Sequence, residues 1–90
     1  MTTAAHTDDL PRLSRRLRIQ YEPAQSRWVL LYPEGMVQLN DSAAEILRRC
    51  DGRHTVPDIV GELEALFSTQ GIRPEVQSLI DEGTRRGWLD

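Results

Sequence analysis

The sequence predicts an α+β domain: a three-stranded antiparallel sheet followed by a three-helix bundle, in a winged helix-turn-helix-like arrangement. Three observations carry this. Apolar and polar residues alternate up to residue 39. The apolar spacing then changes to that of amphipathic helices. Turn-forming residues separate the segments at short intervals, so strands come first and helices after, the order of an α+β fold.

From Leu13 the period is two, with Leu13, Leu17, Ile19 and Tyr21 on one face and Ser14, Arg16, Arg18 and Gln20 on the other; Arg15 is a misfit. Glu22–Ser26 is a turn, in which Pro23 removes a backbone donor. Arg27–Tyr32 is rich in β-branched and aromatic residues and is the clearest strand. Pro33-Glu34-Gly35 turns the chain into a short third strand, Met36–Leu39.

Asn40-Asp41-Ser42 offers helix N-caps, with Ser42 and Glu45 in capping-box spacing. Ala43, Ile46, Leu47 and Cys50 form one helix face, and Gly52 is expected to end that helix. Thr55 caps the second helix, with Pro57 in its first turn and Asp58 three residues after the cap. Ile59, Val60, Leu63, Leu66 and Phe67 form its apolar stripe, and Gly71 ends it. Pro74 and Glu75 open the third helix. Val76, Leu79 and Ile80 face its core, with Gly83 one turn on. Gly87 stops this helix, and Trp88-Leu89 are expected to fold back on its last turn.

Ninety residues suit one domain, read as residues 10–90 behind a polar, disordered tail at 1–9. A core of this size leaves little room for a deep active site. Net charge is −3, unevenly spread: residues 1–33 carry five Arg against three acids, and residues 34–90 carry six Arg against eleven. Neither nucleic-acid nor membrane binding is advertised by that balance. The N-terminus has no secretory pattern and no apolar run approaches a membrane span, so the expected address is cytoplasmic.

No catalytic constellation assembles, and the chain is read as a binder rather than an enzyme, without cofactor or metal. One cysteine cannot form an intramolecular disulfide or a thiolate cage. Cys50 is read as a small core hydrophobe in preference to a thiol activated by Arg48, Arg49 and Arg53. His54, near Asp51 and Asp58, is read as an interhelical turn residue. The acids Glu62, Glu64, Asp81 and Glu82 are read as solvated faces, and Trp28 and Trp88 as packing anchors. Arg16, Arg18 and Arg27 either solvate the wet side of the sheet or attract an acidic partner.

A winged-helix outline raises DNA binding as the alternative function. The helix that would enter the major groove is expected to carry bases. The second helix instead carries Asp58, Glu62 and Glu64, and the third has Arg85 and Arg86 only at its end. An acidic recognition surface repels a duplex. A three-stranded sheet also has open outer edges, and an extended peptide adding there as a fourth strand is the favoured mode.

Several segments then point to a family. Tyr21-Glu22, Arg27-Trp28-Val29-Leu30-Leu31-Tyr32-Pro33-Glu34-Gly35, Leu39-Asn40-Asp41-Ser42-Ala43-Ala44-Glu45-Ile46-Leu47, Asp51-Gly52-Arg53-His54-Thr55-Val56 and the closing Arg86-Gly87-Trp88-Leu89 closely resemble the PqqD family of pyrroloquinoline quinone (PQQ) biosynthesis. The resemblance covers residues 10–90. It implies a peptide chaperone, a RiPP (ribosomally made, modified peptide) recognition element, that binds the precursor peptide PqqA and presents it to the radical S-adenosylmethionine (SAM) enzyme PqqE. By element, it also implies a groove lined by Met36, Val37, Gln38 and Leu39 on one side and by Val76, Leu79, Ile80 and Gly83 on the other. An aspartate at Leu39 is then expected to weaken peptide binding without unfolding the domain. Asp51-Gly52-Arg53 reads as a helix stop, with contact to the partner enzyme as its functional alternative. Glu22 and Glu75 stand where relatives are expected to have Asp. Both keep the charge, but Glu makes the local backbone hydrogen bonds of a turn or helix start less well. The expected state is a monomer or weak homodimer.

Overall fold

A computed structural model describes residues 10–90; the tail expected at 1–9 lies outside them. Strands β1 (Arg18–Glu22), β2 (Arg27–Tyr32) and β3 (Gly35–Leu39) precede helices α1 (Asp41–Arg48), α2 (Val56–Leu66) and α3 (Arg73–Arg85). The sheet is an antiparallel meander in the order β1-β2-β3, so β1 and β3 are both edges.

Strand register sorts the side chains into two faces. Ile19, Leu30 and Val37 form one cross-strand row, and Tyr21, Trp28 and Leu39 the next. These rows face the helices, and Leu30 and Leu39 are buried there with Ile46, Leu47, Ile59, Leu63, Val76 and Ile80. On the outer face Arg18, Leu31 and Met36 share a row, as do Gln20, Val29 and Gln38. Val29 is wholly buried although it lies outside the helix-facing core.

The alternation from Leu13 is not one strand. Arg12 and Leu13 form isolated bridges to Asp51 and Leu89, a turn follows at Arg15-Arg16, and β1 begins at Arg18. The misfit at Arg15 marks that turn. Leu13 N–H donates to the Cys50 carbonyl and Ser14 N–H to that of Trp88, so this segment stitches the ends of α1 and α3 together.

Helix ends explain the other differences. The α1 cap is Asn40 rather than Ser42: its side-chain oxygen accepts from Ala43 N–H at 2.7 Å. The helix stops at Arg48, so Cys50 lies just beyond it, and Gly52 (φ +80°) turns the chain four residues after Arg48. Thr55 and Asp58 form the expected capping box on α2, with both reciprocal bonds made. The α2 stripe is shorter than expected: Ile59 and Leu63 are buried, whereas Leu66 and Phe67 are exposed because the helix ends there. Beyond α3, Gly87 (φ +79°) N–H donates to the Thr84 carbonyl and Trp88 N–H to that of Gly83. This paired closure satisfies two end carbonyls and drives Trp88 and Leu89 into the core.

Candidate functional site

The β3 edge and α3 define the candidate site. No further strand pairs with β3 among the described residues, which leaves one row of backbone groups without a ladder partner. Helix α3 packs against α1 and α2, and no Cα of α3 comes within 8 Å of one on β3. A cleft of about 380 Å³ opens at one end, between the β2–β3 turn and the end of α3, lined by Arg16, Leu17, Tyr32, Pro33, Glu34, Val37, Arg86, Gly87 and Trp88.

Register and burial give each expected groove residue a place. Val37 points to the helix side, is half-buried and lines the cleft. Met36 and Gln38 point to the outer face and are exposed. Leu39 is a core residue at 5% exposure. An aspartate there places a carboxylate among apolar side chains and is expected to unfold the domain, so Leu39→Asp does not probe peptide contact. On α3, Val76, Ile80 and Gly83 are buried and Leu79 is half-buried. A Cβ on Gly83 would stand 3.3 Å from Leu89, so that glycine lets the terminal segment approach. Ile80 lines a different cleft of about 770 Å³, with Leu10, Val56, Thr84 and Leu89.

Helical spacing identifies a flank of α3 of which the sequence reading named only Leu79. Gln77, Asp81 and Thr84 line the larger cleft, and residues 79, 82 and 86 fall on the opposite side of the helix at i, i+3 and i+7. Arg86 lines the cleft shared with Val37, so Leu79, Glu82 and Arg86 belong to the flank turned towards β3. The signal was present as a half-apolar stripe beside the fully apolar one. Glu82 accepts from both Arg85 and Arg86, which holds its carboxyl below the usual range, chiefly through Arg86. The Arg86 guanidinium also lies over the Trp88 ring at 5.4 Å.

A second polar assembly lies between α1 and α2. Asp51 Oδ1 accepts from Arg53 N–H at 2.8 Å and meets His54 Nδ1 at 3.0 Å. His54 Nε2 meets Glu62 at 2.9 Å, Glu62 accepts from Arg49, and Arg49 reaches Glu45. Arg48 continues the chain from Glu45 to the Trp28 face, at 4.8 Å. The bond to Asp51, then the charges of Asp51 and Glu62, raise the His54 pKa despite partial desolvation. The bond to His54 lowers Asp51, and Arg49 lowers Glu62. Gly52 donates its N–H to the Pro11 carbonyl, and a Cβ there would meet the Arg12 guanidinium. Asp51 and Gly52 therefore build the turn, while Arg53 is exposed on it.

Cys50 is buried, and its thiol donates to the Ile46 carbonyl at 3.4 Å. Burial, with a smaller contribution from Asp51, pushes its pKa up to about 12, so the neighbouring arginines do not activate it. Among the described residues no cluster of His, Cys, Asp and Glu is arranged to hold a metal ion. None of their helices is long and apolar enough to cross a membrane.

Comparison with known proteins places the chain in a family. A protein of Methylococcus capsulatus named PqqA binding protein is 46% identical, over 91% of this chain and 88% of its own. One of that name from Azotobacter vinelandii is 45% identical, over 92% of this chain and 91% of its own. The solution structure of the PqqD part of Methylobacterium extorquens PqqCD, described as a functional, stand-alone RiPP recognition element, superposes with a TM-score of 0.72 at 27% identity, over 93% of this chain and 92% of that one. The profile of the family described as coenzyme PQQ synthesis protein D matches residues 27–89. The chain belongs to the PqqD family.

Proposed function

We propose that this chain binds a PqqA peptide by strand addition along β3 and presents it to the radical SAM enzyme PqqE, as a carrier and not a catalyst. The observation that carries the reading is the open β3 edge, in a chain whose relatives are named PqqA binding proteins. The β3 backbone supplies hydrogen bonds that any extended peptide accepts. Selectivity then comes from side chains: Val37 under the edge and Leu79 with the end of α3 across from it. Val76, Ile80 and Gly83 act from behind, by fixing where α3 sits.

Titration of labelled protein with PqqA is expected to move the amides of Gly35–Leu39 and of Leu79–Arg86 most. Shifts concentrated on α2 would sink the groove assignment. For the enzyme, Asp51 and Gly52 serve the turn, and the exposed Arg53 is the contact we assign. Arg53→Glu is expected to leave PqqA binding intact while reducing capture of PqqE; unchanged capture removes Arg53 from the assignment.

A further inference from the structure

We propose that the cleft between the β2–β3 turn and the end of α3 is a specificity pocket. It takes one apolar side chain of the bound peptide and holds, between Arg16 and Arg86, a carboxylate two positions away. This rests on the strand-addition reading and goes beyond it by naming the peptide chemistry that fixes register.

The walls and rim differ in character. Leu17, Tyr32, Val37 and Trp88 make the apolar walls, and the charged lining residues are Arg16, Arg86 and one acid, Glu34, with Arg86 Nε also paired to Glu82 outside the lining. At about 380 Å³ the cleft is at the small end of ligand pockets, with room for the apolar side chain and the carboxylate together. Val37 lies on edge strand β3, so a peptide paired to that edge passes the cleft with alternate side chains aimed at it. Neighbours of the buried side chain point away, and the residue two positions on returns to the same side. A carboxylate at that position meets the arginines.

Arg86 is prepared for the task. Its Nε is bound to Glu82 and its guanidinium carbon lies over the Trp88 ring, so two contacts already hold the head group. A planar guanidinium held this way loses less freedom on accepting a carboxylate than a free one. Arg16 comes from the turn before β1, a different part of the chain. The pair therefore reads a peptide only when sheet and helix are docked. Backbone pairing alone tolerates slippage by two residues, because each slip restores the same face. A charge clamp at one end of the groove removes that freedom.

The test is a double-mutant cycle between Arg16→Ala or Arg86→Ala and PqqA peptides in which each Asp or Glu is changed singly to Asn or Gln. Affinity and the amide shifts of β3 are measured together. Each arginine variant is expected to weaken binding about threefold, the scale of an exposed pair. One peptide carboxylate is expected to lose its contribution only in wild type, and replacing it with Lys is expected to restore binding to Arg16→Glu. Salt is expected to weaken wild type more than either variant. Both residues are exposed, and unchanged spectra of the free variants verify folding. If either variant is distorted, Arg16→Gln or Arg86→Gln replaces it. Full affinity in both arginine variants, with β3 amides still moving, overturns the pocket and leaves strand addition standing. Absence of β3 shifts in wild type overturns both.

Discussion

Cys50 and His54 lie four residues apart and both hold their protons, the thiol as a neutral buried group and the imidazole as a cation. Burial keeps the Cys50 thiol protonated, with its pKa near 12, so alkylation by iodoacetamide at neutral pH is expected only in denaturant. Native-state labelling at the rate of a free thiol would refute the burial argument. His54 sits between Asp51 and Glu62, and the bond to Asp51 leads in raising its pKa above the ordinary 6.5. Its contribution to stability is whole below 6.5 and is lost as pH rises through the raised folded value. Asp51 and Glu62 are lowered, so theirs is present above the ordinary carboxylate values and fades as pH falls through the lowered ones. Arg49, which binds Glu62, stays charged throughout, and Asp58 is the other nearby acid. The difference in denaturation midpoint between wild type and His54→Gln is therefore expected to peak between the ordinary Glu value of 4.5 and the His value of 6.5, and to shrink towards alkaline pH. A difference that grows with pH would mean that His54 is buried neutral.

Two glycines test the element scale with opposite signs. Gly87 closes α3 at φ +79°, where a Cβ is strained, and Gly87→Ala is expected to cost about 1 kcal/mol. Gly61 is exposed in the middle of α2, with no atom within 4 Å of an added Cβ. Gly61→Ala is expected to stabilise by about 0.5–1 kcal/mol through helix propensity alone. Thermal melts of the two variants should move in opposite directions, by roughly 4–8 °C per kcal/mol in a domain of this size. Most elements were legible because local chemistry declares them: the Thr55–Asp58 box, the Gly87 stop and the β-branched run of β2. Boundaries failed where distant pairing decided them. Nothing local says that Leu13 pairs with Leu89, so the period-two run before Arg18 looked like a strand. Asn40 and Ser42 are both good caps, and only the path from Leu39 selects the first.

For the molecule as a whole, periodicity found the core but not the surface beside it. Val76, Ile80 and Gly83 follow the apolar stripe and hold α3 in place. Leu79 was legible as a groove residue, but Glu82 and Arg86 share its flank, and their charges read as ordinary solvent exposure until β3 is placed opposite. The same limit applies to Arg16, whose neighbours Tyr32, Val37 and Trp88 come from three other parts of the chain. The charged chain from Asp51 through His54, Glu62, Arg49 and Glu45 to Arg48 and Trp28 was legible only as scattered residues. In the fold it ties α2 to α1 and α1 to the sheet.

The bridge between Leu13 and Leu89, with Asp90 N–H donating to the Arg12 carbonyl at 2.8 Å, brings the two ends of the folded unit side by side. The domain is thus a nearly closed ring of chain, and its topology can be reopened elsewhere. A circular permutant that joins residue 90 to residue 10 through a short glycine-serine linker, with new ends in the exposed Thr69-Gln70 loop, is expected to keep the wild-type fold. Its amide spectrum would decide the matter. An unfolded permutant would mean that α2 and α3 must be continuous for the helices to dock.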